Sequence, residues 1–373
     1  MKSLSVFCSP ARYVQGEGAT ASLGAEISRL SLGQRVFVLA GKSAMKHLAV
    51  SWDSSFGQAS LDYEVLEFAG ECTRAEIERV KSAARLWQAE VIVGTGGGKV
   101  LDAARAVACD LDLPVVNCPT VASSDAPCSA LSVVYKENGE FDSYLFYKRN
   151  PDLVLVDSAM VAKAPGRLLS AGMGDALATW FEARAVREAS KLNQVGGAPT
   201  ISATALAKLC YETLLEDGAA SLAAVNRSEV DDHLERLIEA NTLLSGLGFE
   251  SGGLAVAHSV HNGLTTVEET HAFYHGEKVA FGVLVQLVLE NRSEDEIQEV
   301  MKFCLSVNLP LTFSQLGIDR VEPALIDRIA ERTVAPGETA HNEPFVVNAE
   351  MVAEALRQAD RRGRDFLGLG RSG

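Results

Sequence analysis

Val91-Ile92-Val93-Gly94-Thr95-Gly96-Gly97-Gly98-Lys99 decides the fold. Three β-branched apolar residues in a row read as a strand buried on both faces. The strand runs straight into a glycine-rich turn, and Leu101 to Cys109 follows with helical spacing. Strand, glycine turn and helix open a β-α-β unit, which needs a parallel sheet covered by helices. Glycine has no Cβ, so the backbone can approach a phosphate closely. The helix start offers unbonded N–H groups and the positive end of a dipole. Lys99 adds a full charge. Gly96, Gly97, Gly98 and Lys99 are therefore candidate contacts to a phosphate-bearing cofactor. The string is neither GxGxxG, since Lys99 takes the last glycine's place, nor a Walker A loop. Read alone, it also fits ordinary turn chemistry.

The same alternation extends to both sides. Arg35 to Ala40 is a short apolar strand ending at Gly41, and Leu61 to Phe68 is another. Thr73 to Gln88 has helical spacing, with Thr73 as N-cap and Glu76 placed to complete a capping box. Leu113 to Asn117 and Leu153 to Val156 read as further strands. After about residue 160 the pattern becomes helical: 167–189, 200–215, 229–247, 253–267, 277–291 and 295–306. The expectation is an α/β domain over 1–160 and an all-α domain over 161–373, with the natural ligand site in a cleft between them.

Bulk properties narrow the function. The formal net charge is −15. Nucleic-acid binding needs a basic surface that releases counterions, so a nucleic-acid partner is not expected. Docking on anionic membranes is disfavoured for the same reason. No apolar run approaches the roughly 20 residues that cross a bilayer. Seven cysteines, an odd number without a CxxC pair, point to a reducing compartment rather than a disulfide framework. With no signal-peptide pattern at the N-terminus, the expectation is a cytoplasmic protein.

Pro119-Thr120-Val121-Ala122-Ser123-Ser124-Asp125-Ala126-Pro127-Cys128-Ser129-Ala130-Leu131 follows a strand. It is either a Ser/Asp turn ended by proline or a ligand loop at the carboxyl end of a parallel strand. The histidines carry the second signal. Of seven in the chain, His258, His261, His271 and His275 crowd into one stretch. Imidazole is the commonest side-chain metal ligand. His258 and His261 are three apart on a helix and share a face, so spacing alone can pair them on one metal. One buried and one exposed imidazole would give the same spacing. Two histidines need a third ligand, often a carboxylate. Asp175 is a candidate because it interrupts an apolar run, although an acid in the first turn of a helix also complements the dipole.

Several long strings then match one family in order. They are the Gly-Gly-Gly-Lys loop at 96–99, Ser-Ser-Asp-Ala-Pro-Cys-Ser-Ala-Leu-Ser at 123–132 and Gly-Asp-Ala-Leu-Ala-Thr-Trp-Phe-Glu-Ala-Arg at 174–184. Gly-Phe-Glu-Ser-Gly-Gly-Leu at 248–254, His-Asn-Gly-Leu-Thr at 261–265 and His-Gly-Glu-Lys-Val-Ala-Phe-Gly at 275–282 complete the set. Over nearly its whole length the chain resembles the glycerol dehydrogenase branch of the iron-containing (group III) alcohol dehydrogenases. The resemblance implies an N-terminal dinucleotide-binding domain and a helical metal-binding domain. It implies Zn2+ held by Asp175, His258 and His275, with His261 a close neighbour and a candidate proton carrier. Asp125 is implied to hydrogen-bond a small polyol, and Phe249 to form an apolar wall near the nicotinamide. Thr120, Ser123, Ser129, Leu131 and Tyr135 join Gly98 and Lys99 as cofactor contacts. A homo-oligomer, often an octamer, is the family's assembly. The reaction implied is reversible oxidation of glycerol and related vicinal diols to dihydroxyacetone with NAD.

One place departs from the pattern. Where the branch usually carries an Asp for the adenosine ribose, this chain has Gly41-Lys42-Ser43. An acid there favours NAD and repels the 2′-phosphate of NADP. Gly41 removes that repulsion, and Lys42 or Ser43 is placed to hold a phosphate, so some use of NADP is expected. The alternative on the same fold is an NADPH-preferring reductase of 2-oxo acids or aldehydes. Asp125 weighs against an anionic substrate, because like charges in one pocket repel.

Overall fold

The computed structural model describes residues 3–369. They group into two compact units. One gathers 8–164 and 224–243; the other gathers 3–7, 165–223 and 244–369. The division is therefore not a single cut near residue 160. Helix Asp232–Glu239 sits with the α/β unit because Glu235 accepts from Gln15 Nε2 at 2.6 Å and from the Ser158 hydroxyl at 2.5 Å. Such long-range pairing leaves no periodic trace in the sequence.

In the α/β unit six strands form one parallel sheet in the order β1-β8-β5-β4-β2-β3. They are β1 (Tyr13–Gly16), β2 (Arg35–Ala40), β3 (Asp62–Glu67), β4 (Val91–Gly96), β5 (Val115–Pro119) and β8 (Leu153–Asp157). A small antiparallel pair, β6 (Leu131–Tyr135) and β7 (Phe141–Phe146), follows the Asp125 loop. Successive strand side chains point to opposite faces, and the core divides accordingly. Val36, Val38, Val91 and Val93 join one apolar cluster, and Phe37, Leu39 and Ile92 join the other. Burial on both faces is what the unbroken apolar strands require.

The glycine run divides by role. Gly94 and Gly96 lie inside β4. A Cβ on Gly94 would stand 2.7 Å from Ala104 Cβ, and one on Gly96 would stand 2.7 Å from Val100 Cγ2. Both glycines let helix Gly98–Leu111 lie close against its strand. A Cβ on Gly98 meets nothing within 4 Å. The first two glycines therefore serve packing, and the last faces open space.

The capping box over Thr73 forms only by half. Thr73 Oγ1 accepts from Glu76 N at 3.2 Å, as a cap should. Thr73 N donates to Glu71 O instead, and the Glu76 carboxylate takes Ala69 N and Arg79.

The other unit is helical: Gly166–Glu188, Ile201–Asn226, Ser245–Gly252, Val256–Leu264, His275–Leu289, Glu294–Ser306, Pro323–Thr333 and Ala349–Phe366. The long helix Ile201–Asn226 ends beyond this unit's boundary at Ala223. Two crossings are backbone on backbone. A Cβ on Gly276 would overlap the Ala171 carbonyl oxygen, and one on Gly174 would overlap the carbonyl oxygen of Gly276. A Cβ on Gly282 would likewise overlap the Ala257 carbonyl. Helix His275–Leu289 thus lies unusually close to helices Gly166–Glu188 and Val256–Leu264. No helix among the described residues is long and apolar enough to cross a membrane.

Candidate metal centre

The glycine crossings bring three side chains together. Asp175 lies mid-helix and is 1 % exposed. His258 stands in the first turn of helix Val256–Leu264, and His275 begins the next long helix. Asp175 Oδ1 is 3.1 Å from His275 Nε2 and 3.4 Å from His258 Nε2. One ligand atom from each residue lies within 4.8 Å of the others. Tetrahedral zinc with bonds near 2.0–2.1 Å sets neighbouring ligand atoms roughly 3.4 Å apart. The spacing and the donor set, one carboxylate and two imidazoles, fit such an ion.

Both imidazoles are oriented from behind. Glu182 Oε2 lies 2.6 Å from His258 Nδ1, while Oε1 accepts from Ala255 N at 2.9 Å and His258 N at 3.0 Å. The proton on Nδ1 leaves the Nε2 lone pair for a metal, the usual support of a ligating histidine. His275 is oriented by a second chain. Its Nδ1 lies 3.0 Å from His261 Nε2, and His261 Nδ1 lies 3.1 Å from Asn262 Oδ1. Asn262 Nδ2 donates to Glu338 at 2.9 Å, which leaves Oδ1 as acceptor. The donors therefore run outward from His275, and its Nε2 also faces Asp175 with a lone pair. His261 sits behind a ligand rather than beside it, so the His-x-x-His spacing does not make a chelating pair.

A bound ion would displace the Nε2 protons; without one, the three side chains answer one another's charge. Burial opposes the charge on Asp175, yet His275 and His258 outweigh it and hold the carboxyl well below the usual range. Burial also disfavours a charged His258, but Glu182 and Asp175 raise it well above an ordinary imidazole. Burial, then His275 and Lys278, push His261 well below its ordinary value, so it is neutral.

A further buried carboxyl lies behind Glu182. Glu343 is 3 % exposed. Burial first, then the charges of Glu290 and Glu182, push it up to about 9. Glu290 itself is matched by Arg292 at 2.5 Å and Arg184 at 3.6 Å.

Gly41, Gly96 and Thr120 lie at or just past the carboxyl ends of β2, β4 and β5, Gly97, Gly98 and Lys99 open the helix after β4, and Leu131 and Tyr135 are the two ends of β6. Thr120 N donates to Gly96 O at 3.0 Å, and Gly41 N donates to Thr95 O at 3.1 Å. Lys99 Nζ is 5.3 Å from the Tyr135 ring centre and 2.5 Å from Glu71 Oε1. Lys42 Nζ is 3.6 Å from Glu67 Oε1. Ser123 and Leu131 are half-buried in and just after the loop. Ser129 is fully buried, with its hydroxyl donating to Ala126 O at 2.9 Å. Open space at Gly98, beside a lysine at the carboxyl edge of a parallel sheet, fits a dinucleotide phosphate.

Asp125 is 7 % exposed, in a loop gripped through its carbonyls. Buried Arg105 donates to Ala126 O at 2.6 Å, Asn117 to Pro127 O at 2.8 Å, and Asn241 to Ala122 O at 3.1 Å. Phe249 is buried in helix Ser245–Gly252 of the helical unit. Glu182, Glu71, Glu67 and Glu343 were not among the sequence candidates. For Glu182 a signal was available: it lies seven residues, two helical turns, after Asp175 on the same face.

Residues 10–158 match the family model described as iron-containing alcohol dehydrogenase. A glycerol dehydrogenase of Pseudomonas putida is 52% identical over 96% of this chain and 98% of its own length. A glycolaldehyde reductase of Halobacterium salinarum is 48% identical over 96% of this chain and 98% of its own. The crystal structure of glycerol dehydrogenase from Schizosaccharomyces pombe superimposes with a TM-score of 0.93 at 34% identity, covering 99% of this chain and 93% of that one. The chain belongs to the iron-containing alcohol dehydrogenase family.

Two outcomes follow from the buried carboxylates. Glu182→Gln removes the charge that orients His258, and zinc affinity should fall roughly 10–100-fold. Chelator competition at fixed pH measures it, and an unchanged affinity contradicts the role. Glu343 binds its proton more tightly folded than unfolded, so its contribution to stability is lost as pH rises from the ordinary glutamate range to about 9. The melting-temperature advantage of Glu343→Gln over the parent should therefore grow between pH 5 and pH 9. An advantage that does not change with pH contradicts it.

Proposed function

We propose that this chain catalyses the reversible oxidation of glycerol and related vicinal diols to dihydroxyacetone and its analogues, with NAD as hydride acceptor and Zn2+ as resident ion. The observation that carries the reading is the Asp175, His258 and His275 cluster, with both Nε2 atoms turned to one carboxylate oxygen. When bound, zinc supplies Lewis acidity that lowers the pKa of an alcohol, and the nicotinamide supplies the hydride sink. Asp175, His258 and His275 would hold the ion.

In this reading Glu182 and His261 keep the two ligating imidazoles in the required tautomer. His261 orients His275 and stays a candidate proton carrier. Asp125 accepts hydrogen bonds from the polyol, held in place by the Arg105 and Asn117 contacts to its loop. Phe249 offers an apolar wall to the nicotinamide. Gly96, Gly97, Gly98 and Lys99 hold the pyrophosphate. Thr120, Ser123, Ser129, Leu131 and Tyr135 complete the cofactor contacts. Gly41 and Lys42 leave the use of NADP open. We further propose a cytoplasmic homo-oligomer, an octamer by family resemblance; the odd cysteine count without CxxC spacing supports the compartment.

A second reading is favoured by the glycolaldehyde reductase relative, which resembles the chain about as closely as the glycerol dehydrogenases do. It is the reverse reaction on a short aldehyde, with NADPH preferred. Steady-state assays of glycerol, 1,2-propanediol, glycolaldehyde and 2-oxo acids against both cofactors separate the two. The expected result is turnover of glycerol with NAD, lost on chelation and restored by zinc. His258→Ala and His275→Ala should each lower zinc occupancy and turnover by at least about a hundred-fold. Full activity after exhaustive chelation defeats the proposal.

A further inference from the structure

We infer that Glu67 sets the choice between the two nicotinamide dinucleotides, favouring a free adenosine 2′-hydroxyl over a 2′-phosphate. The inference rests on the dinucleotide reading of the α/β unit. It begins from the ends of three adjacent strands. Glu67 closes β3 in register with Ala40 of β2, and Ala40 is in register with Thr95 of β4. Thr95 leads directly into the glycine turn. Glu67 therefore stands in the same edge row as the turn, one strand beyond β2, at the carboxyl edge where open parallel sheets take their ligands.

Its side chain turns back toward the end of β2. Oε1 lies 3.6 Å from Nζ of Lys42, the residue after Gly41. Gly41 fills none of this space: a Cβ there would meet only Val100 Cγ2, at 3.8 Å. A carboxylate on the neighbouring strand can thus serve the place where the sequence shows no acid. Glu67 is not consumed by the core; its side chain is 48% exposed. The other cation near it, Arg79, reaches only the Glu67 backbone carbonyl at 2.8 Å, and its guanidinium is tied to the Glu76 carboxylate at 2.6 and 2.7 Å. Lys42 therefore meets a 2′-phosphate only together with the Glu67 carboxylate 3.6 Å away. A ribose with two hydroxyls can donate to the Glu67 carboxylate. A 2′-phosphate brings a dianion to the same oxygen and is repelled. Lys42 alone would predict tolerance of NADP; the Lys42 and Glu67 pair predicts preference for NAD.

The test is equilibrium binding of NAD and NADP, by titration calorimetry on the purified enzyme with its metal in place. The variants are Glu67→Gln and Glu67→Gln with Lys42→Ala, and circular dichroism melts verify their folding. The parent should bind NAD at least ten-fold more tightly than NADP. Glu67→Gln should narrow that ratio ten-fold or more through a gain in NADP, and adding Lys42→Ala should abolish the gain. The ratio of kcat/KM values should move in parallel. A Glu67→Gln variant with the parent's ratio overturns the inference, as does a parent that prefers NADP; both leave the dinucleotide reading intact. A parent that binds neither nucleotide removes that reading, and the inference with it.

Discussion

One buried carboxylate oxygen, Asp175 Oδ1, is the point on which the helical unit turns. Taking an ionised carboxylate out of water costs several kcal/mol unless opposite charge or hydrogen bonds answer it. Here two imidazoles converge on it, at 3.1 and 3.4 Å. They can do so because Gly174 and Gly276 allow two helices to touch through their backbones. Any side chain at either glycine would move the ligands apart. Packing and chemistry are thus one constraint: a crossing tight enough to need glycine places an acid and a histidine on adjoining turns.

Support behind the two imidazoles comes from different chemistry in each case. Glu182 holds His258 with a charge, and a neutral His261–Asn262 pair holds His275. The result is the same on both sides: Nδ1 keeps its proton, and Nε2 is the nitrogen left to a metal. Farther back, Glu343 is kept protonated by burial and by Glu290 and Glu182, which spares the region another negative charge. In the α/β unit, lysines suited to phosphate are paired with acids: Lys99 with Glu71 and Lys42 with Glu67.

Much of this was legible before any coordinates. Arg35 to Ala40 appears as β2 with unchanged ends, because an unbroken apolar run bounded by glycine has few other uses. The helices bearing Asp175 and His258 were readable from periodicity, whereas His275 falls just outside the helix expected over 277–291 and in the structure begins it; the choice of those three as ligands came from family resemblance. Spacing favoured His258 with His261, and it could not see that Asn262 and His275 occupy both nitrogens of His261. The β6 and β7 pair escaped notice because its strands are short and only partly buried. The placement of 224–243 was hidden for a different reason: Gln15 and Glu235 meet across 220 residues, and no local pattern encodes such a pairing. Nothing in the sequence sets Glu67 and Glu71 apart from other acids; only the fold places Lys42 and Lys99 opposite them.

The account is tested most directly by X-ray absorption spectroscopy at the zinc edge, on protein purified without chelator and with its metal content measured in the same sample. It predicts one zinc per chain, with two imidazole nitrogens and one carboxylate oxygen at about 2.0–2.2 Å and a further light atom completing the shell. A metal-free protein that still turns over glycerol, or a zinc shell containing sulfur, would contradict it.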